Sequence, residues 1–263
     1  MKMAVLVKQV PATENIKIDP VTGVMQRDNL QSELNPLDTY AVEQAVRMKK
    51  NFQQSTVTAV SMGIPAAQSI LRQAIAMGCD EGVLLSDRAF AGSDTWATAH
   101  VLSKGLQKLG DFDIIFAGER ATDGETGQVG PCVAVQLNIP VLTFVSEVKI
   151  EEDGKILATR SVEGGYELVR VSSPVLISVV KEINEPWIPD YNGMMKSRSA
   201  SIKIMTAQDI GVDKADCGLE GSPTRVSKVF YPKLTRNGEV FSDSDPEKAA
   251  QKIVDFLKEK NIL

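Results

Sequence analysis

DIIFAGERATDGETGQVGP, residues 113–131, is the stretch on which the reading of the fold turns. An apolar strand-like run ends at Gly118, a polar loop carries Asp123, Gly124, Thr126, Gly127 and Gln128, and a helical pattern opens near Val129. A strand passed to a helix in this way leaves backbone N–H groups free at the helix start, pointing into a crevice at the carboxyl end of a sheet. An anionic phosphate suits that place, since the helix end carries partial positive charge. Gly124 and Gly127 let the backbone approach a ligand, and Thr126 and Gln128 add side-chain hydrogen bonds. The same glycines also serve a plain strand-to-helix turn, so both readings stay open on this stretch alone.

Upstream, strand and helix alternate. MAVLVKQV is followed by a helix from about Pro36 to Lys50, then TVTAVSMG, a helix around Ala66 to Met77, GVLLSD at 82–87, and a helix from roughly Ser93 to Leu109. This rhythm predicts an α/β fold: a parallel, Rossmann-like sheet covered on both faces in three layers. In PLDTYAVEQAVRMKK, Leu37, Tyr40, Ala41, Ala45 and Met48 recur at helical spacing, which places Asp38, Glu43, Gln44 and Lys49 toward water, with Asn35 as N-cap before Pro36. VKQVP and SMGIP close the first two strands on the same side as the glycine loop, where an adenine and ribose would fit. Neither contains GxGxxG or GxxxxGK[ST], and no SGGxDS-like loop follows the first strand, which disfavours a dehydrogenase, a P-loop NTPase and an ATP-consuming pyrophosphatase.

Downstream, VLTFVSEVKI, KILATRSV, YELVRVSS and VLISVVKE are strand-like, joined by EDGK and EGG turns, and predict added antiparallel hairpin strands. The nucleotide-binding domain is expected to end near residue 185. Residues 186 to about 245 hold scattered prolines and no sustained period, while DPEKAAQKIVDFLKEK predicts a terminal helix at 246–260. Apolar residues at Ile202, Ile204, Val226, Val229, Phe230, Tyr231 and Phe241 favour an arm laid on another chain over disorder.

Formal net charge is −5 over 263 residues with both signs mixed, which excludes a nucleic-acid footprint. The opening apolar run is too short for a signal segment or a membrane span, so a cytoplasmic protein is expected. Cys79, Cys132 and Cys217 match neither a disulfide framework nor a metal spacing, and the single histidine, His100, sits in an apolar helix as a packing or surface residue. Catalytic side chains and a metal site are therefore not expected.

Taken together, VKQVP, ELNPLDTYAVEQAVRMK, AVSMG, LRQAIAMGCDEGVLLSDRAF, GERATDGETGQVGP and TRSVEGGYELVRVSSPVLISVVKEINEP resemble the beta subunit of electron-transfer flavoproteins over nearly the whole chain. The resemblance implies a heterodimer with an alpha subunit, an adenine-nucleotide site, and a C-terminal arm at 186–263 that wraps the partner. In the housekeeping branch the nucleotide is AMP. In the electron-bifurcating branch the loop reads close to DGDTAQVGP and holds a second FAD. DGETGQVGP is similar to the second pattern, with Glu125 for Asp and Gly127 for Ala; Thr122 stands upstream for a usual Ile.

Carried over by resemblance, the adenine end contacts Leu6, Lys8, Asn35 and Met62, and the phosphate end contacts Asp123, Thr126, Gly127, Gln128, Val129 and Gly130. SDRAFAGSDTWATA resembles the bifurcating branch, which implies Asp94 and Thr95 near the polar edge of a flavin ring; a helix start capped by Ser93 or Asp94 reads equally well there. A docking loop for a flavin-dependent dehydrogenase is implied near 187–198, with Tyr191 at the family's aliphatic anchor position; a tyrosine packed on its own chain is the alternative. The implied reaction takes a hydride from NADH to the FAD held here. One electron then goes to ferredoxin or flavodoxin and the other through the alpha-subunit FAD to the dehydrogenase. An AMP-holding electron carrier and an ATP-binding or sensing domain are the alternatives.

Overall fold

The computed structural model describes residues 1–12, 32–227, 240 and 245–263. The chain starts in the middle of the main sheet with β1 (Lys2–Leu6), then forms a small antiparallel ribbon from β2 (Gln9–Pro11) and β3 (Ser32–Leu34). Next come α1 (Pro36–Asn51), β4 (Thr56–Met62), α2 (Gln68–Met77), β5 (Glu81–Leu85), α3 (Thr95–Leu109), β6 (Ile114–Gly118) and α4 (Val129–Leu137). Three strands follow, β7 (Val141–Ile150), β8 (Ile156–Val162) and β9 (Gly165–Val171), then β10 (Val175–Val179), α5 (Tyr191–Ser199), β11 (Ile202–Met205), the single turn α6 (Ala207–Ile210) and α7 (Pro246–Glu259).

Among the described residues the main sheet has the order β11-β5-β4-β1-β6-β10-β7-β8-β9. From β11 to β7 every neighbouring pair is parallel, and β8 and β9 continue antiparallel. Alternation along each strand feeds two cores. Met3, Val5 and Val7 face one with Ile114, Phe116 and Ile177, beneath α1 and α2; Ala4 and Leu6 face the other with Ile115, Ala117 and Leu176, beneath α3 and α4. The chain runs outward from β1 to β4 and β5 on one side and resumes at β6 on the other. That reversal opens a crevice beyond the carboxyl ends of β1 and β6.

Four sequence expectations are corrected here. β10 is not a hairpin strand: it lies parallel between β6 and β7, where its mostly apolar VLISV is covered on both faces and buried at every position. The polar side of α1 does not face water, and Asp38, Glu43 and Gln44 are all buried. Residues 184–187 cover Glu43 and Gln44: Asn184 Nδ2 donates to Tyr40 O at 3.0 Å, the Trp187 N–H to Glu43 Oε2 at 3.3 Å, and Arg47 Nη2 to Glu185 O at 2.8 Å, whereas Asp38 accepts the Lys8 N–H at 2.8 Å. Lys49 is drawn into a half-buried ion pair with Asp80 at 2.5 Å. Asn35 precedes α1 but its side chain does not cap it.

Residues beyond 185 also hold more regular structure than their prolines suggested. β11 pairs with β5 at the sheet edge, and α5 lies against α2, where Arg72 Nη1 donates to Ser197 O at 2.9 Å and Ala200 O at 2.7 Å. These bonds satisfy carbonyls that a short helix leaves open. The first compact unit therefore runs from Met1 to Ser227, past the boundary expected at 185. In the second unit, Lys228–Leu263, α7 is capped by Asp245 and has no buried residue, although Ala250, Ile253, Val254 and Leu257 share one of its sides. Val229, Phe230, Tyr231 and Phe241 lie outside the described residues. Among those described, no helix is long and apolar enough to cross a membrane.

Candidate functional site

The crevice at the strand-order reversal holds a cavity of about 380 Å³. Its floor is the ends of three strands: Leu6, Val7 and Lys8 after β1, Val60 and Met62 on β4, and Ala117 and Gly118 on β6. One wall is the β6–α4 loop, Glu119 to Ala121 and Gly124 to Gly130; the other is the start of α3, with Ser93, Asp94, Thr95, Thr98 and Leu102. Two helix N-termini thus converge on one cavity.

They differ in charge. Among the described residues no side chain caps α4, so the first-turn N–H groups of Val129 and Gly130 are left for a ligand. Glu125 (φ 52°) and Gly127 (φ 62°) sit in the left-handed region on either side of Thr126, which curls the loop before that helix start. Thr126 Oγ1 accepts the Gln128 N–H at 3.4 Å, and Thr95 Oγ1 donates to Gln128 Oε1 at 3.5 Å, joining the two walls. At α3, Asp94 is the cap: its Oδ1 accepts the Ala97 N–H at 3.0 Å. Burial acts to raise its carboxyl, but hydrogen bonds from Ala97, from the side chain and backbone of Thr224, and from Trp96 hold it below the usual range. The α4 end suits an anion and the α3 end an uncharged group with donors to offer.

Of the site residues expected from sequence, Leu6, Lys8, Met62, Asp94, Thr95, Thr126, Gly127, Gln128, Val129 and Gly130 line this cavity; Asn35 and Asp123 do not. Lys8 Nζ meets Asp123 Oδ1 at 2.7 Å, a partly exposed pair that contributes at most about 1 kcal/mol to stability. Asn35 is fully buried and holds the loop from behind: Nδ2 donates to Arg120 O at 2.9 Å, and Oδ1 accepts the Thr122 N–H at 3.2 Å. Replacing Asn35 with Ala leaves both groups without that partner and is expected to cost about 2 kcal/mol. Faster hydrogen exchange at Thr122, with a lowered melting temperature, is the check; unchanged exchange would mean that the loop holds itself.

The sequence reading missed Asp38. It lines the cavity floor, accepts the Lys8 N–H at 2.8 Å, and has its carboxyl pushed up to about 7. Burial is the main cause, opposed by hydrogen bonds from Asn35 and the backbone of Lys8 and Gly118 and by the charge of Lys8. Thr98 and Leu102 were missed too, although their spacing of three and seven from Thr95 puts all three on one side of α3. Tyr191 opens α5 and is exposed beside Trp187, Ile188, Met194 and Met195, so it is not packed on its own chain. His100 meets Gln136 at 3.2 Å on the α3–α4 side, away from the cavity lining. Among the described residues no His, Cys, Asp and Glu cluster could hold a metal ion.

Comparison with known proteins agrees with this architecture. The model of the electron transfer flavoprotein domain matches residues 22–210. The chain is 44% identical to the electron transfer flavoprotein subunit beta of Thermoanaerobacterium thermosaccharolyticum, with 100% of both chains covered. It is 42% identical to the caffeyl-CoA reductase-Etf complex subunit CarD of Acetobacterium woodii, again over 100% of both. A third relative, the electron transfer flavoprotein subunit beta of Clostridium acetobutylicum, is 44% identical with the same coverage. A parallel sheet with a ligand-sized crevice at its reversal point, the DGETGQVGP loop on its rim and full-length similarity to these subunits lead to one assignment: the chain belongs to the electron transfer flavoprotein family, among its beta subunits.

Proposed function

We propose that this beta subunit binds FAD in the β1–β6 crevice and takes part in electron bifurcation with NADH as donor. The observation that carries this reading is the reach of the cavity. Beyond the α4 start, where a phosphate group is satisfied, the lining continues along α3 through Asp94, Thr95, Thr98 and Leu102. An adenosine monophosphate seated on the loop leaves that lobe unused, whereas a dinucleotide extends into it. The loop sequence DGETGQVGP supports the same choice.

The residues present fit such a group. The uncapped α4 start suits the diphosphate, Leu6, Val60 and Met62 with Lys8 beside them suit the adenine end, and Asp94 suits an N–H at a ring edge. When bound, the flavin supplies the hydride and single-electron chemistry. The chain orients it, screens it from water and fixes the charges beside it. Electrons would go to ferredoxin or flavodoxin and, through the alpha-subunit FAD, to a flavin-dependent dehydrogenase. The exposed Trp187, Ile188 and Tyr191 offer that dehydrogenase aromatic and aliphatic anchors, and the apolar side of α7 gives the C-terminal arm a face with which to wrap the alpha subunit. A cytoplasmic location fits these partners.

Nucleotide content tests the reading. Co-expressed with its alpha subunit and purified gently without oxygen, the complex is expected to yield two FAD per heterodimer and negligible AMP. One FAD with one AMP would reject bifurcation and leave a simple electron carrier.

A further inference from the structure

The α3 wall of the cavity is built from two distant parts of the chain. The turn Gly92–Asp94 is bound along its length by residues 218–224. The Gly218 N–H donates to Ser93 Oγ at 3.0 Å, and the Asp94 N–H to Ser222 Oγ at 2.8 Å. Ser222 Oγ in turn donates to Gly218 O at 2.6 Å. Thr224 then gives both of its donors to one atom: its N–H at 2.9 Å and its Oγ1 at 2.8 Å reach Asp94 Oδ2. The other oxygen, Oδ1, is held by the Ala97 N–H. Each Asp94 oxygen is thus held from a different element, one from the first turn of α3 and one from a segment more than a hundred residues further along.

We infer that Thr224, with Ser222, is a positioning residue for the cavity: Thr224 holds the Asp94 carboxylate in one orientation on the α3 wall while Ser222 fixes the Asp94 backbone, and together they set how the lobe beyond the phosphate loop accepts the ring end of a bound dinucleotide. Thr224 does not line the cavity, so it acts only through Asp94. A carboxylate free to turn about its side-chain bonds would meet a ligand donor with an entropic loss at each encounter; one fixed by Ala97 and Thr224 has already met that loss in folding. The coupling is reciprocal, so a ligand that leans on Asp94 also tightens residues 218–224. The role rests on the dinucleotide reading of the same cavity.

The test uses the full chain, alone and with its co-expressed alpha subunit, titrated with FAD and with AMP. Thr224→Val removes the hydroxyl donor and keeps the backbone N–H. It is expected to weaken FAD about tenfold, the usual consequence of losing a hydrogen bond to a charged group. AMP, which stops at the phosphate loop, is expected to change by less than about twofold. Thr224→Ser restores the donor and is expected to bind FAD like the wild type, and Ser222→Ala is expected to act in the same direction as Thr224→Val. In hydrogen exchange, FAD and not AMP should protect the amides of 218–224 in the wild type. Equal loss for FAD and AMP, or no loss in Thr224→Val, overturns the positioning role. A wild-type chain that binds AMP but not FAD, or neither, rejects the dinucleotide reading itself, and the role falls with it.

Discussion

Gly118→Ala is expected to lower stability by about 1–3 kcal/mol and to weaken nucleotide binding with it. Gly118 ends β6 where α1 begins its first turn, and the two backbones are in close contact. A Cβ there would collide with Asp38 Oδ1 and lie 2.9 Å from both the Leu37 carbonyl carbon and its oxygen. The carboxylate can turn aside, but the Leu37 peptide cannot move without lifting the start of α1, and with it the buried Asn35 that holds the glycine loop. Gly124→Ala is the control, because a Cβ there meets none of the described residues within 4 Å and its folding stability should stay within about 0.5 kcal/mol of wild type. Urea midpoints of the two variants decide the matter; equal midpoints would show that the β6–α1 contact yields without cost.

Asp38→Asn is expected to change how stability depends on pH more than any other single substitution in the cavity. The Asp38 carboxyl is raised from 3.8 to about 7, mainly by burial. Between these values the folded chain keeps a proton that the unfolded chain releases. The contribution of this group is therefore full below about pH 4 and falls as pH rises toward 7, by up to about 1.4 kcal/mol per pH unit. Above 7 a buried charge remains, offset in part by the Lys8 N–H. Asn cannot titrate, so the stability of the variant relative to wild type should improve by several kcal/mol, roughly 3–4, between pH 4 and pH 8. Denaturant melts at pH 4.5, 6 and 8 measure it, and a difference that stays constant with pH would show that Asp38 titrates as an exposed carboxylate does.

Both predictions lie where local pattern misled. Asp38, Glu43 and Gln44 fall outside the apolar spacing of Leu37, Tyr40, Ala41, Ala45 and Met48, and helical periodicity does not say what else covers them. Glu43 and Gln44 are covered by residues 184–187, some 140 positions away, whose Asn184, Glu185 and Trp187 bond to α1, and Asp38 by the chain after β1, where it accepts the Lys8 N–H. Asn35 was legible as a helix-start residue from its place before Pro36, yet its side chain turned to Arg120 and Thr122. A capping bond is available to any exposed helix start, but a fully buried amide takes the partners that the tertiary contact brings to it.

The alternation of strand and helix, the parallel sheet, the loop that opens α4 and the family were all legible in the order of the residues. Each of these rests on interactions between residues close along the chain, or on motifs read in order. Contacts between distant segments set the rest: β10 slots between β6 and β7, β11 extends the sheet beyond β5, and Ser222 and Thr224 back the wall on which Asp94 sits. Strand neighbours and buried polar partners are set by which distant surfaces can cover one another, a condition that no short window of sequence contains.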